Sequence, residues 1–197
     1  MIRLANETDV RRMSVTCARA FDDDPVWRWF IPSDGYFDRW MIFVGGMFRH
    51  ITLGNRATYT TDDGVSVAAW SPPGGWETSE AQAEALMPAF QTCFGANLDK
   101  FQHGFGFVES KHPHKPHWYL AGLATHPDWQ GQGIASAVMR PILERCDAEG
   151  LPAYLEATKE KNVGFYRQHG FEVTDRLELP NGGPMMILMW REPQRIP

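Results

Sequence analysis

The stretch Leu123-Ala124-Thr125-His126-Pro127-Asp128-Trp129-Gln130-Gly131-Gln132-Gly133-Ile134-Ala135-Ser136-Ala137-Val138-Met139 decides the fold. Its first three residues close a run that begins at Trp118 and is apolar on both faces, as a buried central strand requires. From Ile134 the pattern turns helical. A glycine-rich turn at that junction leaves backbone N–H groups exposed at a helix N-terminus, which can receive phosphate oxygens. A diphosphate fits that description. The two common nucleotide signatures do not: there is no GxxxxGK[ST], and GxGxxG would need glycine where Ser136 stands.

Downstream, the pattern predicts a helix to Glu149, a break at Gly150-Leu151-Pro152 and a strand at Ala153 to Glu156. A helix at Lys161 to His169 and strands near 171–177 and 184–190 follow. Upstream, a helix capped by Thr8-Asp9 is expected near 8–21, an aromatic segment at 26–30 and a second helix over 34–53, weakened by Gly45-Gly46. Strands at 57–61 and 65–70 meet at Asp62-Asp63-Gly64, a good hairpin turn. Residues 72–116 read as a mainly helical insertion. The whole is an α/β chain whose 197 residues suit one domain, 1–197.

Hydrophobic residues at 43% and charged ones at 22% exclude a disordered or fibrous chain. A formal charge of −5 argues against nucleic acid or an anionic membrane as partner. Cys17, Cys93 and Cys146 are odd in number, far apart and without CxxC spacing, so neither disulfides nor a thiolate metal site is expected. With no apolar signal core after Met1 and no uninterrupted apolar stretch of about 18 residues, a reduced, cytoplasmic protein is expected.

Four ordered elements carry a family resemblance. Gln130, Gly133 and Ala135 meet the pattern [RQ]-x-x-G-x-[GA], and Thr125-His126-Pro127 precedes it as a V-x-P-like element. The strand Ala153 to Glu156 is followed by Asn162, then by Phe165-Tyr166 and Gly170-Phe171. Together they resemble the GNAT superfamily of acyl-CoA-dependent N-acyltransferases, covering about 117–192 closely. Tyr154-Leu155-Glu156, Asn162 and Phe165-Tyr166, with the insertion, look most like its puromycin N-acetyltransferase-like branch. The resemblance implies a mixed, mostly antiparallel sheet flanked by helices and parted in the middle to admit acetyl-CoA. It implies transfer of an acetyl group to a primary amine of a small molecule within a ternary complex. The oligomeric state is open, a homodimer included.

The same resemblance assigns roles. Leu123, Ala124 and Thr125 would bond the pantetheine arm as an added strand, and Gln130, Gly131, Gln132, Gly133, Ile134 and Ala135 would donate to the diphosphate, with Asn162 a further contact. Tyr166 stands at the position of the acid that protonates the leaving thiolate, a fitting task for a phenol of pKa about 10 against a thiol of about 8.5. Glu156 is the sequence candidate for base, directly or through water.

Each residue also has a plainer reading. Gly131 and Gly133 could serve only a tight turn, Tyr166 could pack, Glu156 could pair with Lys159 or Lys161, and Asn162 could cap its helix. Of the aromatic group Trp27, Trp29, Phe30, Trp40 and Trp76, most should be core, and Trp27, Trp29 and Phe30 are expected to line an amine pocket. His112, His114 and His117 could ligate zinc, but the proline-stiffened segment has no adjacent carboxylate or cysteine and reads as a solvated loop, so no metal is expected. Asp22-Asp23-Asp24 reads as a solvated helix end. The alternative functions are a peptide or protein N-acetyltransferase, and a non-catalytic acyl-CoA-binding regulatory module.

Overall fold

Strand β3 (Ser66–Ser71) is buried at every position, so both of its faces must be covered. Val67 and Ala69 join one apolar cluster, while Ala68 and Trp70 join another on the opposite face, the period-2 alternation of a sheet between two helical layers. The computed structural model describes residues 1–194.

Seven strands form one sheet in the order β1-β2-β3-β4-β5-β7-β6, with β1 (Ile2–Leu4), β2 (Thr58–Thr61), β4 (Trp118–Thr125), β5 (Ala153–Ala157), β6 (Glu172–Glu178) and β7 (Met185–Arg191) around β3. Every pairing is antiparallel except β4 with β5. The expected mixed, mostly antiparallel sheet is therefore present; β1 is an element the periodicity did not suggest.

On one face lie α1 (Val10–Ala20), α2 (Pro25–Phe30), α3 (Tyr36–Met47) and the two helices between β3 and β4, α4 (Glu80–Phe94) and α5 (Leu98–Glu109). The other face carries α6 (Ile134–Glu149) and α7 (Val163–Gln168). The 3-10 turn Glu7–Asp9 that leads into α1 is capped by Asn6 through a capping box with Asp9, just ahead of the expected Thr8-Asp9. Gly45-Gly46 does not interrupt α3. A Cβ at Gly46 would stand 3.2 Å from Ala89 and 3.3 Å from Leu86 of α4, so the missing side chain lets the two helices close on each other. Among the described residues no helix is long and apolar enough to cross a membrane.

Candidate active site

The site begins with one extra residue. In the β3–β4 ladder Ala69 faces Gly122 and Trp70 faces Leu120, so Ala121 is a bulge that bends β4. β5 pairs with β4 only at Trp118↔Ala153 and Tyr119↔Tyr154 before the strands part. The rest of β4 keeps a hydrogen-bonding edge open towards the gap, as a chain-like ligand needs.

The glycine turn follows. Gln130 Nε2 donates to Thr125 O at 3.1 Å, fastening the loop to the strand end. Gly131 and Gly133 both have φ of +75°, and a Cβ on either would meet no atom within 4 Å. Left-handed backbone explains the glycines, and the open space in front of them is a cradle that side chains would fill. A cleft of about 720 Å³ is bordered by Leu123, Ala124, Thr125, Gln130, Gly131, Gly133, Ile134, Ala135 and Asn162. Gln132 does not border it; its amide turns back to Asp128 O at 3.4 Å. The remaining groups fit a diphosphate on an extended arm.

Across the gap is a second cavity of about 240 Å³, walled by Trp27, Trp40, Phe43, Phe48, Trp76 and Phe105, with Glu109, His112 and Glu156 as its acidic and basic groups. Of the three aromatics expected there, only Trp27 borders it. Phe30 is 1% exposed and packs on Phe101 at 5.5 Å, while Trp29 lies under the Lys100 ammonium at 3.3 Å. The helical period turns Trp29 away from Trp27, whereas Phe30, one turn on and sharing Phe105 with Trp27, is buried in the apolar cluster instead of bordering the cavity.

Leu123, Asn162, Tyr166 and Phe21 border both spaces. Burial pushes the Tyr166 phenol up, and the Asp24 charge pushes it further, so the hydroxyl keeps its proton at neutral pH. Asp24 corrects the reading of a solvated acidic run. It is fully buried, accepts from Val26 N at 3.0 Å and Trp27 N at 3.2 Å as the cap of α2, and accepts from Thr158 Oγ1. Its neighbour Asp23 is exposed and pairs with Lys159 and Lys161. Those lysines are thus not held by Glu156.

Glu156 instead faces His112, whose Nδ1 is 3.5 Å from its Oε1. Burial and the Glu156 charge together push the phenols of Tyr119 and Tyr154 up, leaving protonated hydroxyls beside the carboxylate. The histidine segment is not a solvated loop. His112 and His117 are 5% and 2% exposed, their Nε2 atoms are 3.0 Å apart, and Trp76 stacks on His112 at 3.8 Å. A mutual hydrogen bond and aromatic cover make burial tolerable for both rings. His114 is exposed, and no group of three or more metal-ligating side chains is found among the described residues. Sequence reasoning weighed the two histidines only as zinc ligands and read them as loop, and so did not find them as a buried pair beside Glu156. Asn162 starts α7 without a side-chain capping bond, leaving its amide available to the cleft.

A sheet parted beside a glycine-rich helix start, with a capped apolar cavity across the gap, is the architecture of the acyl-CoA-dependent N-acyltransferases. The model of the acetyltransferase (GNAT) family matches residues 60–171, and the chain belongs to that family as an N-acetyltransferase. It is 25% identical over 205 residues to an uncharacterized N-acetyltransferase of Schizosaccharomyces pombe, covering 94% of this chain and 81% of the relative. A probable serine/threonine-protein kinase of Dictyostelium discoideum matches at 29% over 82 residues, which is 41% of this chain and only 11% of that protein. Among solved structures, a histone acetyltransferase HPA2 and related acetyltransferase of Corynebacterium glutamicum superposes with TM-score 0.71 at 23% identity, over 100% of this chain and 97% of that one. The polyamine N-acetyltransferase of Drosophila melanogaster superposes with TM-score 0.64 at 11% identity, over 98% and 99%.

Proposed function

We propose that this chain, acting as one catalytic unit over residues 1–197, transfers the acetyl group of acetyl-CoA directly to the primary amine of a small apolar molecule. The observation that carries this reading is the junction of two spaces at Leu123, Asn162 and Tyr166: a glycine-cradled cleft on one side, an aromatic cavity on the other. The cavity is about the volume for a compact amine, well below the roughly 300–1,000 Å³ of drug-sized sites. Its carboxylates, Glu109 and Glu156, suit an ammonium group. The wording of Tyr154-Leu155-Glu156, Asn162 and Phe165-Tyr166 supports placement in the puromycin N-acetyltransferase-like branch.

Acetyl-CoA supplies the activated thioester. The free edge of β4 aligns its arm, and the N–H groups of Gly131, Gly133, Ile134 and Ala135 meet the diphosphate. Glu156 draws a proton from the ammonium so that a neutral nitrogen can attack. Tyr166 Oη delivers a proton to the departing sulfur. A cysteine-bound intermediate is disfavoured, because burial pushes the thiols of Cys17, Cys93 and Cys146 up to about 12 and leaves them un-ionised at neutral pH. The test is a panel of small primary amines, free lysine and an unblocked peptide, each offered with acetyl-CoA and read by thiol release. Turnover of apolar amines above lysine and peptide is expected; turnover of the peptide alone overturns the acceptor class, and thiol release with none overturns the function.

A further inference from the structure

The hydrogen bonds of the buried histidine pair fix which ring nitrogen lacks a proton. His117 Nδ1 is 2.7 Å from Lys115 O, and a carbonyl only accepts, so Nδ1 carries the hydrogen. In a neutral His117 that leaves Nε2 as an acceptor. His112 Nε2 stands 3.0 Å from it and must therefore be the donor. The neutral His112 ring then has a bare Nδ1, 3.5 Å from Glu156 Oε1. His112 borders the acceptor cavity and His117 does not.

We propose that His112 Nδ1 is the terminal acceptor of the proton released by the amine, and that His117 is a positioning residue that keeps this nitrogen vacant. The inference rests on the acetyl-transfer reading and deepens it. The ammonium R–NH3+ and neutral His112 become R–NH2 and an imidazolium, with Glu156 bridging the passage and then pairing with the new cation. The nitrogen lone pair forms the C–N bond as the C–S bond breaks. Of the two protons that nitrogen loses, one resides on His112; the other passes to the Tyr166 phenolate left after the phenol has protonated sulfur, so Tyr166 ends as it began.

The groups that face His112 come from every element around it: Glu109 of α5, His117 before β4, Tyr119 of β4, and Tyr154 and Glu156 of β5. The two phenols stay protonated, so the carboxylates and His117 are the other ionisable groups around the ring. Burial pushes His117 down, which favours its neutral form and with it the acceptor role of its Nε2. Trp76 stacked on the ring holds its plane without supplying a charge.

The test compares pH profiles of kcat/KM with 2-phenylethylamine or the best amine of the panel. For His112→Phe, which keeps a ring against Trp76, kcat at neutral pH is expected to fall by about 100-fold. The rising limb of the profile should flatten while the acetyl-CoA dissociation constant is unchanged. His117→Gln can still accept from His112 Nε2 and should retain the limb, whereas His117→Leu should lose it. A folded His112→Phe with the wild-type limb overturns the inference while leaving acetyl transfer standing. No turnover of any amine by the wild type overturns the functional reading instead. Where a variant does not fold, nitrogen-15 shifts of the wild-type imidazoles decide: Nδ1 of His112 unprotonated at neutral pH is expected, and a protonated Nδ1 with bare Nε2 overturns the assignment.

Discussion

Tyr166 is the residue on which the proposed chemistry can be separated from packing. Its phenol is 9% exposed at the meeting of the two spaces, and burial holds the proton that the leaving sulfur would take. Tyr166→Phe keeps the ring and removes only the hydroxyl. It is expected to lower kcat by about 100- to 10,000-fold with acetyl-CoA affinity nearly unchanged, measured by single-turnover kinetics so that slow product release does not conceal the step. A wild-type acyl-transfer rate in the folded variant would move the acid elsewhere. Glu156 was legible in sequence only as a strand-end carboxylate. Its partner His112 lies 44 positions upstream, and Trp76, which covers that ring, lies 36 further still; no local pattern joins them. Asp24 differs, since a sequence signal existed: an acid directly before Pro25 is a helix start, with proline at the first helical position.

At the scale of elements, the strands and helices after Trp118 follow their periodicity closely, because each is long or bounded by glycine and proline. What failed to show was short or dependent on distant partners. β1 has three residues, too few for any period, and exists through pairing with β2. Its anchor is a partly buried ion pair: Asp9 accepts from Arg3 Nη1 and Nη2 at 2.7 Å each, and from Asn6 N at 3.0 Å. The Arg3 hydrogen bonds hold the Asp9 carboxyl below its ordinary value. Such a carboxylate stabilises the fold at pH above its unfolded pKa, and the contribution fades as pH falls through the lower folded value. Asp9→Asn should therefore cost on the order of 1–2 kcal/mol near neutral pH. Urea unfolding at a series of pH values should show the gap between variant and wild type shrinking below about pH 4, where the unfolded carboxyl takes up its proton. A gap that widens on acidification would mean that Asp9 acts otherwise.

For the whole molecule, a ligand that spans both halves of the parted sheet should stabilise all of it. At about 100 times its dissociation constant acetyl-CoA should add about 2.7 kcal/mol, or roughly 5–10 °C in Tm for a chain of this size. Gly133→Val, strained at φ +75° and projecting into the cradle, should lose most of that shift. An equal shift in the folded variant would remove the glycine loop from the binding site. The bulge at Ala121 has one more consequence. A bare strand edge is ordinarily an invitation to aggregate, since any extended chain can add to it. Here the edge opens in the middle of the sheet and is recessed in a cleft bordered by Asp22, Asp23 and Asp24 on one side and the start of α6 on the other. A recess of that kind favours a thin, single, flexible thread over a second sheet.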